Sequence, residues 1–323
     1  MMTTRVASSV LEAIGHTPLV RITRVVPPGS ADVVVKLESI NPTGSYKDRM
    51  ALAMIEGAER DGRLRPGMRV VEFTGGSTGS SLAMVCAAKG YRFVAVSSDA
   101  FAQEKLRTIA AFGAKLIVVP SDGGRITPDL FVRMKAEVDR LCAEPDTFWT
   151  DQFNNADALN GYAEIGRELL DQLGSVDVFC GAVGTGGMLA GVARALRDGG
   201  SAAFARGGAA PRRTTIVALE PASSPTMTGG GSGPHRVEGI ATGRVVPHMS
   251  GKPYDEARAI DEAEARVMAK RLAREEGLFA GTSSALNITA ALQIAKEIGP
   301  GRIVATVAVD TGLKYLAGDL FAD

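Results

Sequence analysis

The sequence predicts an α/β protein of two three-layer domains with mainly parallel sheets. Short β-branched runs alternate with segments of helical periodicity along nearly the whole chain, the pattern of repeated strand–helix units. Several of the strand-like runs, such as RIVATVAV at 302–309, are apolar almost throughout, as strands buried on both faces are. A chain of 323 residues also suggests roughly two domains at about 150 residues each.

Taken in order, the probable strands are 33–38, 69–74, 92–98, 115–119, 147–151, 176–182, 214–220 and 302–309. Probable helices lie near 46–61, 79–89, 103–112, 127–142, 156–173, 187–198, 261–276 and 283–298. Helix ends are marked by glycines, as in EGAERDG and REEGLFAG. The Gly/Ala-rich run 199–213 reads as a flexible surface loop, since a strand pattern resumes at once. Residues 223–257 show no periodicity, and long irregular stretches of this kind are often functional.

Composition excludes several classes of function. The 36 basic and 36 acidic residues balance, so no basic excess marks a nucleic-acid surface. No run of about 18 apolar residues suggests a membrane span, and the N-terminal segment lacks the apolar core of a secretory signal. Three dispersed cysteines, Cys86, Cys142 and Cys180, fit a reduced, cytoplasmic protein with buried thiols. The three histidines, His16, His235 and His248, have no ligand spacing, which argues against a metal site.

Glycine-rich turns carry the chemical signal. Thr74-Gly75-Gly76-Ser77-Thr78-Gly79 falls between a strand and a helix, and so does Val183-Gly184-Thr185-Gly186-Gly187-Met188. Each places backbone N–H groups at a helix N-terminus, which suits an anion. A third such turn is Ala280-Gly281-Thr282-Ser283-Ser284. Neither the P-loop nor the dinucleotide fingerprint fits; in the latter, the third glycine position is Leu189. Gly75-Gly76-Ser77-Thr78-Gly79 does match the G-x-S-x-G nucleophile elbow. A hydrolase using Ser77 with His248 as base is therefore a competing reading, although it leaves the second loop unused. It also leaves unexplained Lys47, in NPTGSYKDRM, a cation at a predicted helix start where the macrodipole is positive.

Together these segments resemble the cysteine synthase (O-acetylserine sulfhydrylase) and cystathionine β-synthase family of pyridoxal-phosphate enzymes. The resemblance runs from about residue 9 to 320 and rests on AIGHTPLV, NPTGSYKDR, TGGSTG, VGTGGM and GTSSA, in that order. It implies the type II, tryptophan synthase β-like fold, with the cofactor between two domains. Residues 1–38 plus 155–323 would form the larger, phosphate-binding domain and 39–154 the smaller, substrate-clamping one. It implies pyridoxal 5'-phosphate as cofactor, joined to Lys47 as an internal aldimine. Gly184, Thr185, Gly186, Gly187 and Met188 would hold the phosphate, and Ser283 would face the ring nitrogen. Thr74, Gly75, Gly76, Ser77, Thr78 and Gln152 would hold the substrate's α-carboxylate, with Ser77 also near the ring hydroxyl. The implied reaction is β-replacement on a β-substituted L-serine-type amino acid through an α-aminoacrylate, with Lys47 as general base. A hydroxyl at the ring nitrogen leaves the ring less protonated than a carboxylate would, which favours early loss of a β-leaving group. The implied partners are a small amino acid, a small nucleophile and a second copy in a homodimer. β-Elimination, of the desulfhydrase or dehydratase kind, is the alternative within the class; a catalytically weak binding partner of another enzyme is the alternative outside it.

Some positions depart from the family pattern. Gly75 stands where many members carry serine, Ser77 where they carry asparagine, and Met188 where they carry threonine. Tyr162 falls where sulfide-using members often have histidine. Gly75 is expected to leave space beside the substrate, and the departures bear on O-acetylserine with sulfide as the substrate pair. Asp310-Thr311-Gly312 resembles a turn behind the cofactor ring, with a structural role.

Overall fold

The computed structural model describes residues 6–125, 127–205, 213–240 and 243–322. In chain order the strands are β1 (Leu19–Ile22), β2 (Asp32–Lys36), β3 (Arg69–Phe73), β4 (Arg92–Ser98), β5 (Lys115–Val119), β6 (Thr147–Trp149), β7 (Val178–Ala182), β8 (Thr215–Pro221), β9 (Glu256–Ile260) and β10 (Ile303–Val307). The helices are α1 (Lys47–Arg60), α2 (Ser77–Lys89), α3 (Gln103–Ala111), α4 (Pro128–Cys142), α5 (Ala156–Leu173), α6 (Gly187–Ala205), α7 (Glu262–Arg271) and α8 (Thr282–Ile298). Among the described residues no helix is long and apolar enough to cross a membrane.

The chain divides into two compact units, Met1–Gly15 with Asn41–Asp157 and His16–Ile40 with Ala158–Asp323. The division expected from sequence groups residues 1–38 with 155–323. The contacts instead group the segment ending at Gly15 with the smaller unit. A 3-10 turn at Val10–Ala13 packs on α2, and the Gly15 N–H donates to Asn41 Oδ1 at 2.9 Å.

The smaller unit holds a four-stranded, wholly parallel sheet in the order β5-β4-β3-β6. Val71, Phe73, Val94 and Val96 meet Leu130, Met134, Val138 and Leu141 of α4. The i, i+4, i+8, i+11 spacing of those four puts them on one helix face. Thr127 caps α4 by accepting the Leu130 N–H, and Pro128 occupies the first turn, where its missing N–H does no harm. The N-terminal ends of α1 and α2 lie in this unit and begin at Lys47 and Ser77.

The larger unit holds a six-stranded sheet, β1-β2-β10-β7-β8-β9, parallel except for β1 against β2. Helix α8 lies in its core, with Leu286, Ile288, Leu292 and Ile294 buried. Asn287 ties it to two strands: its Oδ1 accepts the Ala182 N–H at 2.8 Å and its Nδ2 donates to Val307 O at 3.1 Å. Both of its amide atoms are thus satisfied, as burial requires. The fold is the one the alternation predicts, two parallel or mixed sheets flanked by helices.

Three local expectations are corrected. Residues 199–205 continue α6 rather than forming a loop; alanines there have the highest helix propensity and offset the two glycines. The rest of that expected loop, 206–212, lies outside the described residues. The stretch 223–257 is not without structure: a 3-10 turn spans Pro247–Met249 and β9 begins at Glu256. Strands β1 and β9 went unrecognised because they are short edge strands carrying charges, Arg21 in one and Glu256 and Arg258 in the other. The helix expected over 261–276 is α7 followed by a π-helical turn at Leu272–Glu276.

Candidate active site

In the smaller unit, Lys47 opens α1 and is 8% exposed. Its N–H donates to Ser45 Oγ at 3.2 Å and its Nζ lies 4.9 Å from the centroid of the Tyr46 ring. The turn before it is held by Asp48, which is fully buried and accepts from Thr43 N at 2.8 Å and Thr43 Oγ1 at 2.5 Å. An acidic residue in the first turn suits the helix dipole, whereas a lysine there does not. Lys36 Nζ binds Glu168 at 2.7 Å and Thr17 O at 2.5 Å, and Lys89 binds Glu59 at 2.9 Å.

The turn from Thr74 to Gly79 follows β3. Thr74 Oγ1 accepts the N–H groups of Gly76 (3.1 Å) and Gly79 (3.2 Å), so its hydroxyl proton remains available to point elsewhere. Gly76 has φ 158°, a conformation open to glycine. Thr78 Oγ1 donates to Gln152 Oε1 at 2.7 Å, and Gln152 Nε2 donates to Phe73 O at 3.2 Å. Sequence reading names Thr78 and Gln152 separately; the structure joins them. Ser77 is half-buried at the start of α2, and its carbonyl accepts the Ser81 hydroxyl at 2.9 Å.

The space expected beside Gly75 is occupied. A Cβ placed on Gly75 would lie 2.6 Å from Phe101 Cε1, and one on Gly76 would lie 2.4 Å from Lys105 Cδ. Phe101 and Lys105, from the segment leading into α3 and from its first turn, therefore cover the glycine turn. Sequence reading missed both, because their proximity comes from β4 running parallel beside β3.

In the larger unit, Gly184 to Met188 lead from β7 into α6. Gly186 has φ 81°, and a Cβ there would meet Met249 Cγ at 2.8 Å. Met188 is buried, its Cε 2.6 Å from where a Cβ on Gly181 would be. The methionine side chain thus packs down on β7 and offers the turn only its backbone N–H. Thr185 Oγ1 accepts the Gly187 N–H at 3.4 Å. With the orphan N–H groups of a helix start, this loop suits a dianionic phosphate. Tyr162 is fully buried and its ring lies 3.3 Å from a Cβ placed on Gly187.

Ser283 is buried in the first turn of α8. Its neighbours are anchored: Thr282 Oγ1 accepts Glu238 N at 3.1 Å, and Ser284 Oγ accepts Val309 N at 2.8 Å. Asp310 Oδ2 accepts from the Tyr315 hydroxyl at 2.8 Å; burial and the adjacent carboxylate hold that phenol well above its usual range.

The cysteines supply no nucleophile. Burial pushes the Cys86 and Cys180 thiols up to about 12, and Cys142 is half-buried at the end of α4 with its thiol also raised by burial. His235 and His248 are half-buried.

Residues 10–309 match the family described as pyridoxal-phosphate dependent enzyme. The chain is 39% identical over 324 residues to a cysteine synthase of Staphylococcus aureus, covering 99% of each. Its structure matches that of an O-ureido-L-serine synthase with a TM-score of 0.87 and 36% identity, covering 99% of this chain and 97% of that one. It matches O-acetylserine sulfhydrylase isoform 3 from Entamoeba histolytica with a TM-score of 0.89 and 31% identity, covering 100% and 94%.

Proposed function

On the premise that the chain belongs to the pyridoxal-phosphate-dependent enzymes and carries out β-replacement chemistry of the cysteine synthase type, we propose that Lys47 is the residue that binds the cofactor and moves the substrate's α-proton. The observation that carries this is a nearly buried lysine at the start of α1, set by a turn clamped through Asp48 and Thr43. The family membership removes the Ser77 hydrolase reading. Pyridoxal phosphate, when bound, supplies the electron sink for charge developing at the substrate's Cα.

The chain's own residues would do the rest. Backbone N–H groups of Gly184, Thr185, Gly186, Gly187 and Met188 bind the phosphate. The Ser283 hydroxyl would serve the ring nitrogen as a neutral partner, and Ser77 would serve the ring hydroxyl. The α-carboxylate of the amino acid is bound by the turn Thr74, Gly75, Gly76, Ser77 and Thr78, with Gln152 beside it. Lys47 Nζ takes the proton from Cα and returns one after the β-substituent has been exchanged. The substrate is a β-substituted L-serine-type amino acid, and a small nucleophile replaces its β-group.

Borohydride reduction of the holoenzyme followed by peptide mapping tests the first assignment. The pyridoxyl group is expected on Lys47; finding it on Lys36 or Lys89 overturns the reading. The protein is further proposed to be a homodimer, and light scattering that gives the mass of one chain at working concentration would contradict this.

A further inference from the structure

Glu72 has no part in the chemistry above, yet it is an acidic residue with no exposed surface, on β3 two positions before Thr74. Its carboxylate accepts four hydrogen bonds. Oε1 takes Phe73 N at 2.9 Å and Trp149 Nε1 at 3.2 Å. Oε2 takes Thr150 Oγ1 at 2.7 Å and Gln152 N at 3.0 Å. Three of these four donors, the two backbone N–H groups and the indole, can only donate.

Two features give the arrangement a purpose beyond satisfying a buried charge. Oε2 bridges the residues on either side of Asp151, which holds a left-handed conformation at φ 45°. A non-glycine residue there is strained, and such strain persists only where its surroundings over-determine it. The second feature is what the bridge fixes. Gln152, whose N–H is held by Glu72, carries the amide that accepts from Thr78 Oγ1 and donates to Phe73 O. The chain of contacts thus runs from Glu72 through Gln152 to Thr78 of the glycine turn.

We propose that Glu72 is a positioning residue for substrate binding: it fixes the kink at Asp151 so that Gln152 holds Thr78 and the turn in the geometry that receives the amino acid's carboxylate. The inference rests on the reading that this turn, with Gln152, binds the carboxylate. An amide cannot replace the carboxyl group, because both carboxyl oxygens accept from donors that cannot reverse. In Glu72→Gln, an amide nitrogen facing Phe73 and Trp149 meets two obligate donors, and one facing Thr150 and Gln152 meets the Gln152 N–H. The second orientation leaves only one obligate donor without an acceptor, because the Thr150 hydroxyl can accept from the amide, and it is therefore favoured; the donor it strands is the Gln152 N–H, so Gln152 shifts.

The test compares Glu72→Gln and Gln152→Ala with the wild-type holoenzyme. Four quantities are read: cofactor content, KM and kcat for O-acetyl-L-serine with sulfide, and equilibrium binding of L-alanine by its effect on the cofactor's visible absorbance. L-Alanine has no β-leaving group, so it reports binding alone. Both variants are expected to keep their cofactor, to weaken L-alanine binding by about 5- to 50-fold, and to raise KM far more than they lower kcat. If Gln152→Ala leaves binding unchanged, the carboxylate assignment fails. If Gln152→Ala weakens it but Glu72→Gln only lowers thermal stability, the assignment stands and the positioning role is refuted. Should Glu72→Gln not fold, Thr150→Val removes one donor to the same oxygen, with Thr150→Ser as the conservative variant. Weaker binding in the valine variant, restored in the serine one, supports the role; equal binding in both overturns it.

Discussion

Placing a serine at position 75, by Gly75→Ser, is expected to damage this protein unless Phe101 is changed with it. The new Cβ would lie 2.6, 2.8 and 3.1 Å from three carbons of the Phe101 ring. Carbon atoms in contact normally sit about 3.5–4.0 Å apart, so the ring must retreat by about 1 Å. Phe101 packs against the cluster formed by β3, β4 and α4, and overpacking of this kind costs about 1–3 kcal/mol. Phe101→Ala removes the obstruction at the expense of the ring's own packing. The double variant should therefore be more stable than the sum of the two singles, with a coupling of about 1–3 kcal/mol. Urea unfolding of wild type, both singles and the double measures it. The same four proteins assayed with O-acetyl-L-serine and bulkier β-substituted serines show whether the preference moves only once the ring is gone. Additivity within about 0.5 kcal/mol would refute the reasoning, since it would mean that the ring and the new side chain do not compete for the same volume.

Gly186→Val is expected to abolish cofactor retention, because φ 81° and the 2.8 Å approach to Met249 leave no room for a branched side chain. Met188→Thr should keep the cofactor while losing packing on β7; normal absorbance from the valine variant would show that the phosphate is held elsewhere. Glu72 also gives the protein a pH signature. Burial lifts its carboxyl from 4.5 to about 7, against the opposing pull of Thr150, Gln152 and Trp149. A carboxyl whose folded pKa is raised binds its proton more tightly in the folded state. Its contribution to stability is thus full below about 4.5 and is lost as pH rises towards about 7. Chemical unfolding followed from pH 4.5 to 8 should show this decline in wild type and a flatter profile in Glu72→Gln; parallel profiles would assign the decline to other groups.

The sequence by itself determined the order of elements and the places where chemistry resides. Period-2 and period-3.6 patterning is local, so β4 at Arg92–Ser98 and β5 at Lys115–Val119 are legible residue for residue. Glycine turns at strand–helix junctions are local too, and Lys47 stands out because its charge opposes the dipole of the helix it begins. Edge strands β1 and β9 were beyond that signal, because an edge is defined by what does not pair beside it. Only the tertiary structure decided what each local motif touches. Gly75 reads as empty space in a sequence and is filled in the fold, because β4 runs beside β3 and delivers Phe101 onto the turn. Glu72 reads as one polar residue in a strand. It becomes a fourfold acceptor because β6 pairs with β3 and brings Trp149, Thr150 and Gln152 to it across nearly 80 positions of chain. Pairing in a parallel sheet is non-local, so residues joined through it leave no periodicity in the sequence from which the contact can be read.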